Sequence, residues 1–232
     1  SGTVQSRGKL SGLKAVLFDF DDTILNSFPA RVEAARSAAQ GILEPGLDLD
    51  GIMREWAGRP QYEIWREFAG EEEEAQVLMD GYWKSYWDDS GVKAPLFPGV
   101  RGMLTGLKAS ELRLAIVTSK VRLLKDGHRS YGAVVELERV GLSETFDLVV
   151  GWEDTAESKP EPGPILFALE RLGVTAAEAI MVGDSHVDIT AAKRAGVSSA
   201  GATWGTVARD LLLDSKPDHL LDSPRDLLSL LS

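Results

Sequence analysis

An α/β fold, a doubly wound parallel sheet with an all-helical insertion, is predicted for this chain of 232 residues by three observations. Short apolar runs rich in β-branched residues alternate with helix-like segments from residue 97 onward. Those runs are apolar at successive positions, as strands covered on both faces of a parallel sheet must be. A long helical stretch of different texture separates the first such run from the rest.

Taken in order, residues 1–12 (SGTVQSRGKLSG) lack the apolar stretch of a signal sequence and are expected to be a mobile leader. KAVLFDF (14–20) is the first strand. Helical patterning then runs through FPARVEAARSAAQ, LDGIMREWAG, PQYEIWREFAG and EEEEAQVLMDGYWKSYWDD, and this stretch holds four of the six tryptophans, Trp56, Trp65, Trp83 and Trp87. Tyr82, Trp83, Tyr86 and Trp87 recur at helical spacing, which predicts the inner core of that unit, with substrate stacking as a secondary role. Glu71–Glu74 suits a solvated helix start, where carboxylates complement the dipole. Pro95, Pro98 and Gly99 return the chain to the sheet. There GVRGMLTGLKAS, PILFALERLG, VDITAAKRAG and the terminal PRDLLSLL read as helices. RLAIVTS (113–119), FDLVVG (146–151), EAIMVGD (178–184) and a run around 199–203 read as strands. The expected division is a leader over 1–12, a sheet-based core over 13–26 and 94–232, and a helical unit over 27–93.

Composition bounds the partners. Hydrophobic residues make up 44% and charged residues 26%, which is ordinary for a globular chain. A net charge of −11 repels nucleic acid and anionic membranes, so a small anionic substrate needs a local positive pocket. With no cysteine there is no disulfide framework, zinc-thiolate site or thiol nucleophile. No run reaches the apolar length of a membrane span, and a cytoplasmic location is expected.

The chemistry collects where the strands end. Ligands of open α/β sheets bind beyond the carboxyl ends of the strands. After the first strand come Asp19 and Asp21, with Thr23 two residues on. After RLAIV come Thr118, Ser119 and Lys120. Lys159 stands in ESKPEP just ahead of a helix, and after IMV come Gly183, Asp184 and Ser185, with Asp188 one helical turn further. Singly, each has an ordinary explanation: a capped turn for Asp19–Asp21, a surface lysine for Lys159, a loop start for Thr118–Ser119, a helix cap for Asp184. All four in order, each at a predicted strand end, point instead to one crevice. Its carboxylates and backbone oxygens suit Mg²⁺, and its lysine and hydroxyls suit a phosphate. With the phosphate's charge screened, Asp19 can attack phosphorus to give an aspartyl-phosphate. Asp21, crowded by neighbouring carboxylates, can carry the proton to the leaving oxygen and later from water.

These motifs resemble those of the haloacid dehalogenase superfamily of aspartate-nucleophile phosphohydrolases. Asp19-Phe20-Asp21-Asp22-Thr23 matches its DxDxT motif, Thr118 its strand-end hydroxyl, Lys159 its lysine, and Gly183-Asp184-Ser185-His186-Val187-Asp188 its GDxxxD motif. The resemblance implies a Rossmann-like core with a helical cap of the first type, Asp19 as nucleophile and Asp21 as general acid/base. It implies Mg²⁺ held by the Asp19 carboxylate, the Asp21 main-chain carbonyl and Asp184. Thr118, Ser119 and Lys159 would hold the phosphoryl group, with Asp188 and Thr23 behind them. Asp21 argues against carbon–halogen chemistry, because the dehalogenase branch lacks it. VTSK, the Gly201–Gly205 segment and the Pro217–Pro224 ending are similar to phosphoglycolate phosphatases and their pyrophosphatase relatives. The implied partner is a small phosphorylated metabolite, with no nucleic acid or membrane, for a monomer or homodimer.

The leading expectation is therefore a phosphatase. A phosphomutase or pyrophosphatase is the alternative within the class, and a phospho-aspartate signalling receiver or a binding protein with a dead site the alternative outside it. Receivers are shorter and carry no helical insertion. Arg59, in a loop between two helices of the insertion, is a candidate grip for a second anionic group of the substrate. The segment 121–141, with Lys125, His128 and Arg129, is expected to be a long surface loop, the alternative being an extra anion contact at the crevice mouth. His186 is expected to be a bystander at the rim, and His128 and His219 surface residues.

Overall fold

The structure, a computed structural model, describes residues 10–231. The expected leader lies largely outside them. Leu10 is tied down, donating its N–H to the Leu230 carbonyl at 3.0 Å and packing against the core.

In chain order come β1 (Ala15–Phe18) and the helices α1 (Phe28–Ala39), α2 (Leu49–Glu55), α3 (Gln61–Phe68), α4 (Glu72–Ser85) and α5 (Val100–Ala109). Then follow β2 (Arg113–Val117), β3 (Leu124–Asp126), β4 (Arg129–Tyr131), α6 (Ala133–Arg139) and β5 (Leu148–Val150). The rest is α7 (Gly163–Leu172), β6 (Ala179–Gly183), α8 (His186–Arg194), β7 (Ser198–Ala202), α9 (Arg209–Asp214), β8 (His219–Leu221) and α10 (Asp226–Ser229).

The main sheet has the order β5-β2-β1-β6-β7-β8, with every neighbouring pair parallel. Side chains alternate across it. Val16, Phe18, Leu114, Ile116, Ile180 and Val182 join one buried cluster with Met103, Leu104 and Leu107 of α5. Ala15, Leu17, Ala115, Val117, Ala179 and Met181 join a second with Ile165 and Leu169 of α7 and Ala191 of α8. Both faces are covered, which is why these strands read as continuous apolar runs. From β1 the chain builds outward to β2 and β5, then returns to β6 on the other side of β1 and continues to β7 and β8. The topological switch point thus lies between β1 and β6, the place where such sheets bind ligands.

Residues 28–90 form a separate helical layer with its own core. Phe28, Val32, Met53, Ile64, Trp65, Leu78, Tyr82 and Trp87 pack together, joined by Tyr131 of β4. Helix α4 passes directly into a π-helical turn at Tyr86–Ser90. Trp65 is fully buried, so truncating it to alanine costs about 3–5 kcal/mol. No helix among the described residues is long and apolar enough to cross a membrane.

Two expectations are corrected. The segment after Lys120 is not a plain loop: β3 and β4 form an exposed antiparallel hairpin that leads into α6. Its Arg129 pairs with Asp88 of the helical layer at 2.5 Å, and Lys125 and His128 point to solvent, outside the cavity described below. The Pro217–Pro224 stretch supplies the edge strand β8. His219, expected at the surface, is buried there because an edge strand still turns alternate side chains inward.

Candidate active site

Strand register brings the motifs level. Phe18 pairs with Ile116 on one side and Val182 on the other, so the residues that follow these strands emerge side by side. The Asp19 N–H donates to the Val182 carbonyl at 2.9 Å, and the Thr118 N–H to that of Val150 at 3.0 Å. Asp19, Thr118, Lys159, Asp184 and Asp188 are all buried at this end of the sheet.

The first group is a buried cluster around Lys159. Its Nζ donates to Asp19 Oδ1 at 3.0 Å, to the Val117 carbonyl at 2.9 Å and to Asp188 Oδ1 at 2.6 Å. The ammonium's three donors are therefore all engaged. Burial opposes its charge, but Asp188 and Asp19 outweigh burial and hold Lys159 well above the usual lysine range. Asp188 has two tasks. One oxygen receives Lys159, and the other caps α8 by accepting from the N–H and hydroxyl of Ser185, at 3.2 and 3.0 Å. That cap explains why GDSHVD needs a glycine at 183: a Cβ there would lie 2.4 Å or less from the Asp188 carboxylate and its Cβ. Asp19 is pushed up to about 7, by burial first and by the Asp188 charge second, against the pull of Lys159. Asp184 accepts from the Thr206 N–H at 3.1 Å and the Thr23 hydroxyl at 3.4 Å. Burial, then the charges of Asp22, Asp19 and Asp188, push it well above the carboxylate range.

A second network surrounds Asp21. Lys120 Nζ donates to Asp21 Oδ1 at 2.9 Å and to Glu136 Oε2 at 2.6 Å, and the Ser27 hydroxyl donates to Asp21 at 2.5 Å. The Tyr86 hydroxyl donates to the other oxygen of Glu136, and the rings of Phe20, Tyr86 and Trp87 enclose the ammonium at 5.0–5.8 Å. Burial raises Asp21, yet Lys120, Arg31 and the Ser27 hydroxyl together override it and hold the carboxyl below its ordinary range. The sequence reading that Asp21 is crowded by carboxylates is thus corrected: cations flank it. Beside it the buried Asp22, at φ 65°, caps Phe28 N–H at 3.0 Å and pairs with Arg31 of α1. Lys120 was visible directly after the hydroxyl pair but without a role. Arg31 and Glu136 carried no signal, because a charge on an amphipathic helix looks solvated until the fold buries it.

A cavity of about 290 Å³ opens over Asp19 and Asp21 and is roofed by the helical layer. Thr118 and Ser119 line it, with Lys120 and Arg31. Thr118 Oγ1 accepts from the Lys120 N–H at 3.1 Å, which leaves its proton available to a ligand. The Ser119 hydroxyl donates instead to the Gly58 carbonyl at 2.9 Å, joining the sheet to the loop between α2 and α3. That loop lies close: Gly58 has φ +83°, and a Cβ there would meet Ser185 Oγ at 2.5 Å. Arg59 lines the cavity from this loop, exposed, with its guanidinium 4.7 Å over the Trp56 ring. Trp83, Tyr82, Tyr86 and Trp87 serve the helical core and line the cavity as well. His186 is exposed and outside the cavity.

The family model described as haloacid dehalogenase-like hydrolase matches residues 16–202, from the first strand past the last acidic motif. The chain belongs to the haloacid dehalogenase-like hydrolases. Among curated relatives of this hydrolase, it is 31% identical to the phosphoglycolate phosphatase of Salmonella typhi, covering 95% of this chain and 93% of that protein. It is also 31% identical to a candidate pyrophosphatase, PpaX, of Clostridium perfringens, covering 94% and 97%. A solved structure of a predicted phosphoglycolate phosphatase from Haemophilus somnus 129pt superposes with a TM-score of 0.83 at 25% identity, over 96% of this chain and all of the other. A signalling receiver, the alternative from another class, is set aside by this membership.

Proposed function

We propose that this hydrolase is a Mg²⁺-dependent phosphatase of a small phosphorylated metabolite that works through an aspartyl-phosphate on Asp19. The observation that carries it is the pairing of two carboxylates in opposite electrostatic states at the switch point. Asp19 is buried against Lys159, and Asp21 is flanked by Lys120, Arg31 and Ser27. Residues 27–93 act as a helical cap over the core formed by 13–26 and 94–232.

The donor set fits a hard divalent cation. Asp19, Asp184 and Asp188 each offer a carboxylate oxygen, all within 4.8 Å of one another and all buried. An oxygen-only set suits Mg²⁺, and crowded carboxylates with Asp184 pushed far up are relieved by added positive charge. Asp188 already serves Lys159 and Ser185 with its two oxygens, so Asp19, Asp184 and the main-chain carbonyl of Asp21 are the holding residues. When bound, the ion supplies charge that screens the attacking carboxylate from the phosphate and stabilises the phosphoryl oxygens.

An Asp19 oxygen attacks phosphorus while the bond to the leaving oxygen breaks, and Asp21 delivers its proton to that oxygen. Asp21 is held ionised here, and an arriving phosphate dianion raises its pKa by repulsion, favouring the protonated form needed first. Asp21 then takes a proton from water, which attacks phosphorus, releases inorganic phosphate and restores Asp19. The Thr118 hydroxyl donates to a phosphoryl oxygen, and Lys159 keeps Asp19 oriented and partly neutralised. The cap excludes bulk water during the first half. A pyrophosphatase would need cations for a second phosphate, whereas Arg31 and Lys120 in the cavity wall are already paired, leaving one exposed arginine, Arg59. The test is turnover of 4-nitrophenyl phosphate with Mg²⁺, and acid quench followed by mass spectrometry of the peptide bearing Asp19. A peptide heavier by one phosphoryl group is expected; steady turnover with no such peptide at any time refutes the covalent route.

A further inference from the structure

The cavity over Asp19 is lined by carboxylates, hydroxyls and cations and, from the start of α3 and the loop before it, by Arg59 and Gln61, whose buried amide nitrogen has no hydrogen-bond partner. Large aromatic side chains share that lining, among them Tyr62, Trp83 and Trp87 of the helical layer and Trp152, which follows β5 in the core. Trp152 is 54% exposed in that wall, and among the described residues its indole has no aromatic or hydrogen-bonding partner. A single exposed indole is ordinary on a surface, but Trp152 shares a concave pocket with Tyr62, Trp83 and Trp87, the lining that ligand sites favour. The cations of the wall tell the complementary half. Lys120 is neutralised by Asp21 and Glu136, and Arg31 by Asp22. Arg59 is exposed over Trp56. Among the described residues Arg59 is thus the one cation of the wall without an ion pair, and it stands in solvent, where a contact to a second anionic group is worth no more than about five-fold in affinity. A volume of about 290 Å³ leaves room for a ring beyond the phosphoryl group.

From this we propose that the enzyme's substrates are phosphomonoesters whose leaving group carries a flat, uncharged aromatic ring, and that Trp152 is a specificity residue closing on that ring opposite the aromatic side chains of the cap. The inference rests on the phosphatase reading above and narrows it. Small doubly anionic esters such as phosphoglycolate are then poor substrates, although relatives carry that name.

The experiment compares benzyl phosphate with ethyl phosphate, whose leaving groups are both primary alkoxides and differ by the ring, and adds phosphoglycolate, all with Mg²⁺. In the wild-type protein kcat/KM for benzyl phosphate is expected to exceed that for ethyl phosphate by on the order of ten-fold or more, from burial of the ring and its aromatic contacts. Trp152→Ala is expected to lower that benzyl-to-ethyl ratio by about three- to ten-fold, the weight of one aromatic contact, and Trp152→Phe to restore most of it. A loss of structure would lower both rates and leave their ratio in place. Binding gives a second readout: benzylphosphonate, which is not cleaved, should bind more tightly than methylphosphonate, and Trp152→Ala should narrow that gap. A wild-type ratio near one, a ratio unmoved by Trp152→Ala, or phosphoglycolate as the best substrate overturns the proposal while the phosphatase assignment stands. No turnover of any of the three overturns the phosphatase reading itself, and this proposal with it.

Discussion

Lys120→Met removes the buried ammonium between Asp21 and Glu136 and leaves the rest of the side chain's packing in place. The lysine side chain is 12% exposed and its two partners 18% and 3%, so solvent screens the pairs weakly. The methionine stem keeps the contacts with Phe20, Tyr86 and Trp87 that now enclose the ammonium. What is lost is the charge between two buried carboxylates, leaving Glu136 only the Tyr86 hydroxyl and Asp21 only Ser27 and the more distant Arg31. Stripping one partner from a buried ion pair costs about 3–5 kcal/mol. With a urea slope near 3 kcal/mol/M for a chain of this size, the unfolding midpoint should fall by about 1–1.7 M. Tryptophan fluorescence reports it directly, since Trp83 and Trp87 pack beside the network. Adding Glu136→Gln removes the second charge while keeping an acceptor for the Tyr86 hydroxyl. More than half of the loss should return, because replacing both ions is far less costly than orphaning one. An exposed control, Lys93→Ala, breaks its pair with Asp89 and should leave the midpoint unchanged. A single-variant midpoint equal to that of the control, or a double variant no more stable than Lys120→Met, would refute the reasoning.

Other outcomes follow from the same geometry. Asp19→Asn should abolish phosphatase turnover with an unchanged far-ultraviolet circular dichroism spectrum, and substantial residual rate in a clean preparation would exclude Asp19 as nucleophile. Asp21→Asn should lower turnover by about 10²–10⁴-fold while calorimetry still detects Mg²⁺ binding, because only the main-chain oxygen of Asp21 is assigned to the ion. If Asp184 helps hold the ion, Mg²⁺ should raise the melting temperature of the parent, and Asp184→Asn should lose that rise. With chelator present it should melt no lower than the parent, since it removes a repulsive buried charge, keeps an acceptor for the Thr206 N–H and turns an amide N–H toward the Thr23 hydroxyl oxygen. Arg59→Ala should lower kcat/KM for phosphoglycolate by no more than about five-fold, the weight of one exposed charge pair, and leave benzyl phosphate nearly unchanged; a larger selective loss would make Arg59 a true grip for a second anion.

The main strands, their apolar continuity and the acidic and hydroxyl residues at their ends were legible from the sequence. Local pattern alone requires them: a strand covered on both faces has no polar side to show, and a polar residue after it stands at the sheet's edge. The helical layer was legible for the same reason, through spacing and its tryptophans. Asp19, Thr118, Lys159, Asp184 and Asp188 meet where those strand ends predict. Tertiary structure alone decided the electrostatics. Asp21 read as an acid among acids, yet Lys120, Arg31 and Ser27 hold it ionised. Glu136 and Arg31 lie on helices whose charged residues look solvated in sequence, and only packing takes them out of water, where a single unpaired charge costs several kcal/mol and partners become obligatory. The hairpin after Lys120 and the edge strand with His219 were hidden because strands this short carry too few residues for an alternation to register. The cavity belongs wholly to the fold as well: Trp83, Trp87 and Trp152 come from different layers, and no spacing along a chain records that two distant segments face the same empty space.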